Sequence, residues 1–332
     1  MDDRTQELLD RILENRELLK KPMRWETQPN MMMILGAMIL SSKGKKADPE
    51  KYEACKAILK RNAGFFSEFR GIPRGMVLSK MSIAPDPEAY LTGCLDVYKK
   101  LRAIHKLIAS PYMVMAAMTL YEYGGQAMAD TNIAKLEEFY QMLHQKHPFL
   151  ISDEDRGYLA MLVTCGLDLA QMDEMIEANY QACKGITVAK NSVNSLAQVL
   201  ALSNMSPEQN AVEVKNLIAA LKAHKCPFSM TKGLSAVGAL TLLSGSAEQK
   251  AQRVSEIYQY LQTKKGFKWY DVDRTTRTVY ACLIDFMANA DEIGTDLAES
   301  IGSTLTMVLV EQMIMAVIIV CATTSQAATH SS

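Results

Sequence analysis

Apolar residues run along the chain at helical spacing, in short and almost wholly apolar stretches that alternate with longer amphipathic ones. The clearest case lies between Ser192 and Arg274, where one pattern occurs twice. A tight apolar helix, Ser195–Leu202, leads into the polar turn Ser203–Pro207 and the longer helix Val212–His224. The second copy is Ser235–Leu242, the turn Ser244–Ser246 and the helix Ala251–Lys264.

The same unit reads outward over most of the chain. Short helices are expected near Met31–Leu40, Met76–Ile83, Met113–Tyr121, Tyr158–Leu167, Ser195–Ser203, Ser235–Leu243 and Thr278–Met287. Taking Met38, Met81, Met118, Leu162, Leu200, Leu240 and Leu283 as equivalent gives steps of 43, 37, 44, 38, 40 and 43 residues. A helix–turn–helix period near 40 is that of an α-solenoid. Long second helices fall near Tyr52–Arg61, Ala89–Leu107, Ile133–His147, Met172–Lys184, Val212–His224 and Arg253–Lys264, with Gly124-Gly125 read as a loop between two helices. Ahead of the repeats, Thr5–Lys20 forms a first helix that Pro22 stops, and Trp25 is expected to seal the open end of the core.

Punctuation agrees with this register. Ala47-Asp-Pro49, Pro85-Asp-Pro87, Ser206-Pro207 and Ser244-Gly-Ser246 each precede a long helix and supply N-caps or a proline in the first turn. Small residues inside the short helices, among them Gly36, Ala37, Ala116, Ala117, Ala160, Ala197, Gly238, Ala239 and Ala281, allow close helix approach and mark a buried layer. No alternating β-branched run is long enough for a sheet. The expected fold is all-α: a right-handed, solenoid-like superhelix of about six helical hairpins. Residues 1–29 form a cap helix and Trp-containing turn, 30–291 the helical-repeat domain, and 292–332 an apolar helix with a polar tail.

Composition narrows the class. Hydrophobic residues make up 48% and charged ones 22% of 332 residues, as in a soluble globular protein. A net charge of -1 offers no global field for nucleic acid or an acidic membrane. Aromatics are few, at 7%, whereas methionines number 22, which suits helix-on-helix packing. Seven scattered cysteines without zinc spacing read as reduced thiols in core positions, hence a cytosolic compartment. The charged N-terminus shows no secretion signal. In the tail, the apolar run 305–322 is broken by Glu311 and Gln312, leaving ten clean residues. That favours a buried or intersubunit helix, and so a possible homo-oligomer contact, over membrane contact through 305–322.

Three stretches carry a resemblance: Lys21-Pro-Met-Arg-Trp-Glu26, Gly64-Phe-Phe-Ser-Glu-Phe-Arg70 and the apolar tail with its Glu-Gln pair. Together they resemble a bacterial family known as domain of unknown function number four thousand and three, over nearly the whole chain. The resemblance implies an all-helical cytoplasmic protein and brings no catalytic residue with it.

Candidate chemistry is sparse. His144 and His147 share a helix face and could bind a metal, but no third ligand stands at helical spacing. Asp271 and Asp273, and the group Asp153-Glu-Asp155, could ligate a cation; N-capping is the simpler reading of both. Neither Cys165 nor Cys183 has a histidine nearby in sequence to activate it. Nucleotide, hydrolase and zinc-protease motifs are missing, so no catalytic residue, cofactor or metal is assigned.

One recurrence stands out. Basic residues end the long helices: Lys60 and Arg61, Lys106, Lys146, Lys184, Lys222 with Lys225, and Lys264 with Lys265. Stacked repeats would line them up as an edge for an acidic peptide or nucleic-acid backbone. Compensation of helix dipoles is the preferred explanation, with the acidic caps cancelling much of the field. A solenoid presents an extended concave surface, so the leading functional expectation is a scaffold for a protein or peptide partner, with nucleic acid disfavoured. A small-ligand protein or enzyme, with a pocket near His105 or His144, is the alternative.

Overall fold

The computed structural model describes residues 1–26, 28–105, 110–146, 151, 155–164 and 168–290. These divide into two compact units. The N-terminal unit runs from residue 7 through 164, and the C-terminal unit joins residues 1–6 with 168–290. All regular structure among the described residues is helical.

The N-terminal unit contains α1 (Asp3–Met23, apart from its first turn), α2 (Pro29–Ser42), α3 (Pro49–Asn62), α4 (Arg74–Ile83), α5 (Pro87–His105), α6 (Pro111–Lys146) and α7 (Arg156–Thr164). A single 3-10 turn, Glu68–Arg70, joins α3 to α4. Asp48 caps α3 by accepting from the Glu50 and Lys51 N–H groups, with Pro49 in the first turn. Asp86 does the same for α5 through Glu88 and Ala89, both at 3.0 Å.

Helices α2 and α4 pack on each other, and α4 also meets α3 and α5. The apolar character of α2 all round places it inside, with every residue from Met32 to Ser41 buried, and α4 is buried from Gly75 to Ser82. Gly36 is where three elements converge. A Cβ there would sit 2.6 Å from Ser79 Oγ, 3.0 Å from Leu19 Cδ1 and 3.3 Å from the Tyr52 hydroxyl. Tyr52, fully buried, donates to the Gly75 carbonyl at 2.9 Å and stands 2.9 Å from Ser79 Oγ, so the polar groups of this junction satisfy one another.

Two expectations fail here. The sequence places a loop at Gly124-Gly125, but α6 continues from Pro111 to Lys146 as one 36-residue helix that takes in the Met113–Tyr121 segment and residues 133–146 of the second. An interior glycine costs about 1 kcal/mol relative to alanine. Tertiary contacts just before the pair offset that cost. Glu122 accepts from buried Lys80 at 2.5 Å and from Tyr90 at 2.6 Å, while the Tyr121 ring stands edge-on to Tyr90. Nor does Trp25 seal the core. It is 83% exposed, with the Arg24 guanidinium 4.3 Å above its ring. Its neighbour explains the orientation. The nearly buried Glu26 carboxylate pairs with Arg74 at 2.7 Å and Lys56 at 3.7 Å, which turns the indole outward.

The C-terminal unit contains α8 (Leu169–Cys183), α9 (Lys190–Leu200), α10 (Pro207–Ala223), α11 (Leu234–Thr241), α12 (Ala247–Thr263) and α13 (Arg274–Ala288). α9 packs on α11 and α11 on α13; α8 packs on α10 and α10 on α12. Ser206 with Gln209, and Ser246 with Gln249, form full capping boxes on α10 and α12. Across the two units, Met38, Met81, Met118, Leu162, Leu200, Leu240 and Leu283 all have zero exposure. Met32, Met33 and all of Met113–Met118 are core residues too.

Candidate functional site

α10 ends at Ala223, and Lys225 adopts a left-handed φ of 58° that reverses the chain. Buried Cys226 then anchors the strand of chain leading to Pro227. Opposite lies the end of α12, carrying Tyr258, Gln259 and Gln262. The loop after α12 turns at Gly266, φ 88°, whose N–H donates to Asp271 Oδ2 at 3.0 Å. Phe267 plugs into the core while Trp269 and Tyr270, 76% and 63% exposed, stand edge-to-face at 5.6 Å. Asp273 caps α13, and Arg274 and Arg277 follow one turn apart on one face.

These elements line a half-open pocket of about 440 Å³, within the range of small-ligand sites. Its lining includes His224, Lys225, Arg274 and Arg277 and, among the described residues, no carboxylate. Arg277 is the unusual member, being only 1% exposed. Nε donates to the Phe267 carbonyl at 2.6 Å, Nη2 to the Val272 carbonyl at 3.2 Å and Nη1 to the Tyr258 hydroxyl at 3.4 Å. All three acceptors are neutral. Among the described residues no carboxylate lies within ion-pair distance of it. A buried cation without a counter-ion is costly, and a guanidinium has five N–H donors of which three are engaged here. His224 differs, since its Nε2 meets Glu248 Oε1 at 2.6 Å.

Asp273 is tied up as a cap. Burial works to raise its pKa, but donation from the Thr275 and Thr276 hydroxyls, the Thr276 N–H and nearby Lys232 outweigh it and bring it down to about 2. The capping reading of this position therefore holds.

The predicted basic edge falls in both units. In the N-terminal unit Lys60 and Lys146 are exposed, and Arg61 pairs with Glu88 at 2.7 Å. In the C-terminal unit Lys222 and Lys265 are exposed, Lys184 donates to Gln181 at 2.8 Å, and Lys264 Nζ lies 4.1 Å over the Tyr260 ring. Lys106 lies outside the described residues. In Arg61–Glu88 and His224–Glu248 the first-turn acids of α5 and α12 take up side chains from the ends of α3 and α10. Only Lys225 of the predicted set joins the pocket.

His144 stacks on Tyr140 and its Nδ1 sits 3.1 Å from the Ile151 carbonyl; His147, Asp153 and Glu154 lie outside the described residues. No cluster of three metal-ligating side chains occurs among the described residues. Cys55, Cys94, Cys183, Cys226 and Cys282 are free and buried, while Cys165, Cys321 and the whole 292–332 tail, with its 305–322 segment, lie outside the described residues. No described helix is long and apolar enough to cross a membrane.

Neither the curated proteins nor the solved structures returned a match to this chain. One family model does match, over residues 15–319, which is nearly the full length and agrees with the resemblance carried by the Lys21–Glu26 and Gly64–Arg70 stretches. The chain belongs to the family described as Protein of unknown function (DUF4003).

Proposed function

We propose that this chain is a cytoplasmic helical-repeat protein, its hairpins stacked as a right-handed solenoid, that binds an acidic segment of a protein or peptide partner. One observation carries the reading: a cationic pocket, without a lining carboxylate among the described residues, whose wall includes exposed Trp269 with exposed Tyr270 edge-on to it. Tryptophan, tyrosine and arginine are the residues that most often dominate binding energy at protein interfaces. Large aromatics left in water beside unneutralised cations favour association over an isolated surface.

A displayed random-peptide library panned against the full chain tests this. Enrichment of acidic sequences, lost when the bait carries Arg274→Glu, is the expected result. Repeated panning that enriches no sequence family would reject peptide binding.

A further inference from the structure

We infer that the floor of this pocket is an oxyanion site built for a phosphomonoester group, which on the peptide-binding reading above would be carried by a phosphorylated side chain. Lys225, Arg274 and Arg277 bring three formal positive charges to one cavity, and His224 is already matched to Glu248. The other carboxylates nearby are also engaged, Asp273 by Thr276 and Lys232 and Asp271 by the Gly266 N–H. A single carboxylate would leave most of that charge uncompensated. A phosphomonoester carries about two negative charges near neutral pH and three acceptor oxygens, which suits two arginines and a lysine. Arg277 adds the decisive geometry. Its burial and its three neutral partners hold the guanidinium fixed, with two N–H donors that meet no acceptor among the described residues. A volume of about 440 Å³ exceeds that of a bare phosphate, leaving room for the group that bears it beside Gln259 and Gln262.

Fluorescence anisotropy with three labelled peptide pools of degenerate flanking sequence, centred on phosphoserine, serine or glutamate, provides the test. Inorganic phosphate is titrated in parallel by calorimetry. The phosphoserine pool should bind at least about tenfold more tightly than the others, and Lys225→Glu and Arg274→Glu should each weaken it about tenfold or more. Both side chains are exposed, so these variants keep the test independent of folding. Arg277→Lys retains the charge without the fork and should also lose about tenfold. Equal binding of the glutamate and phosphoserine pools would overturn the phosphate assignment and leave peptide binding standing. Inorganic phosphate binding that Arg274→Glu abolishes, with no pool bound, would uphold the site and reject the peptide reading. Silence in every arm would reject both.

Discussion

Arg253 holds Asp285 by two parallel hydrogen bonds, Nε to Oδ1 at 2.8 Å and Nη2 to Oδ2 at 3.1 Å, joining α12 to α13 around a carboxylate with no solvent exposure. Arg253 itself is 27% exposed, so the two ends of the pair are unequal. Removing the arginine takes this ion pair from a buried carboxylate that still accepts from the Asn289 amide at 3.1 Å. Arg253→Met should lower stability by about 3–5 kcal/mol, and Arg253→Met with Asp285→Leu should recover most of it. Urea unfolding of both variants checks this, and a double variant no more stable than the single one would refute it.

Gly36 permits the close approach of α1, α3 and α4 that its surroundings demand. Gly36→Ala should cost about 1–3 kcal/mol through overpacking against Ser79 Oγ. Adding Ser79→Ala removes that atom and should restore part of the loss, measurable as a shift in urea midpoint at constant slope.

Asp273 makes α13 sensitive to acid. Its folded-state pKa, about 2, lies below the ordinary 3.8. The stabilisation is therefore complete above about pH 4 and is lost as pH falls through 2. Because the side chain is half exposed, the effect stays near that of an ordinary cap, about 1 kcal/mol. Asp273→Asn should show a smaller difference from wild type at pH 2.5 than at pH 7 in chemical denaturation.

Burial pushes the Cys55 and Cys183 thiols up to about 11 and raises those of Cys94, Cys226 and Cys282 as well. At pH 8 only about a thousandth of the first two would be thiolate. In a Cys165→Ser/Cys321→Ser background, Ellman's reagent should label none of the five within minutes under native conditions and all of them in guanidinium.

Much of the helical framework could be read before any coordinates. Asp48, Asp86, Ser206 and Ser246 cap the helices that their neighbouring prolines or turn residues announced, because capping is local chemistry written within four residues. The seven Met and Leu positions from Met38 to Leu283 are all buried because hydrophobic spacing records which side faces in. The continuity of α6 was not legible, since the ties that carry it through Gly124-Gly125 come from Lys80 and Tyr90, over 30 residues away. The pocket was missed for the same reason. Its lining comes from three segments spanning residues 224–277, and Arg277 looks like any surface arginine preceding an apolar run until Phe267, Tyr258 and Val272 are found around it. Trp25 misled because size alone suggested burial, whereas Glu26 decides which way that turn faces.

At 1.5 Å per residue, the 36 residues of α6 make a rod about 54 Å long. Such a rod has a phase as well as a length. Inserting one residue beside Gly124 would spin everything from there to Lys146 by about 100°, carrying Ile133, Leu136, Phe139 and Leu143 from the interior toward water. A true inter-helical loop would absorb that insertion by lengthening. Relatives that share the rod are therefore expected to keep the spacing between Met118 and Ile133 unchanged, with length variation displaced into the turns on either side.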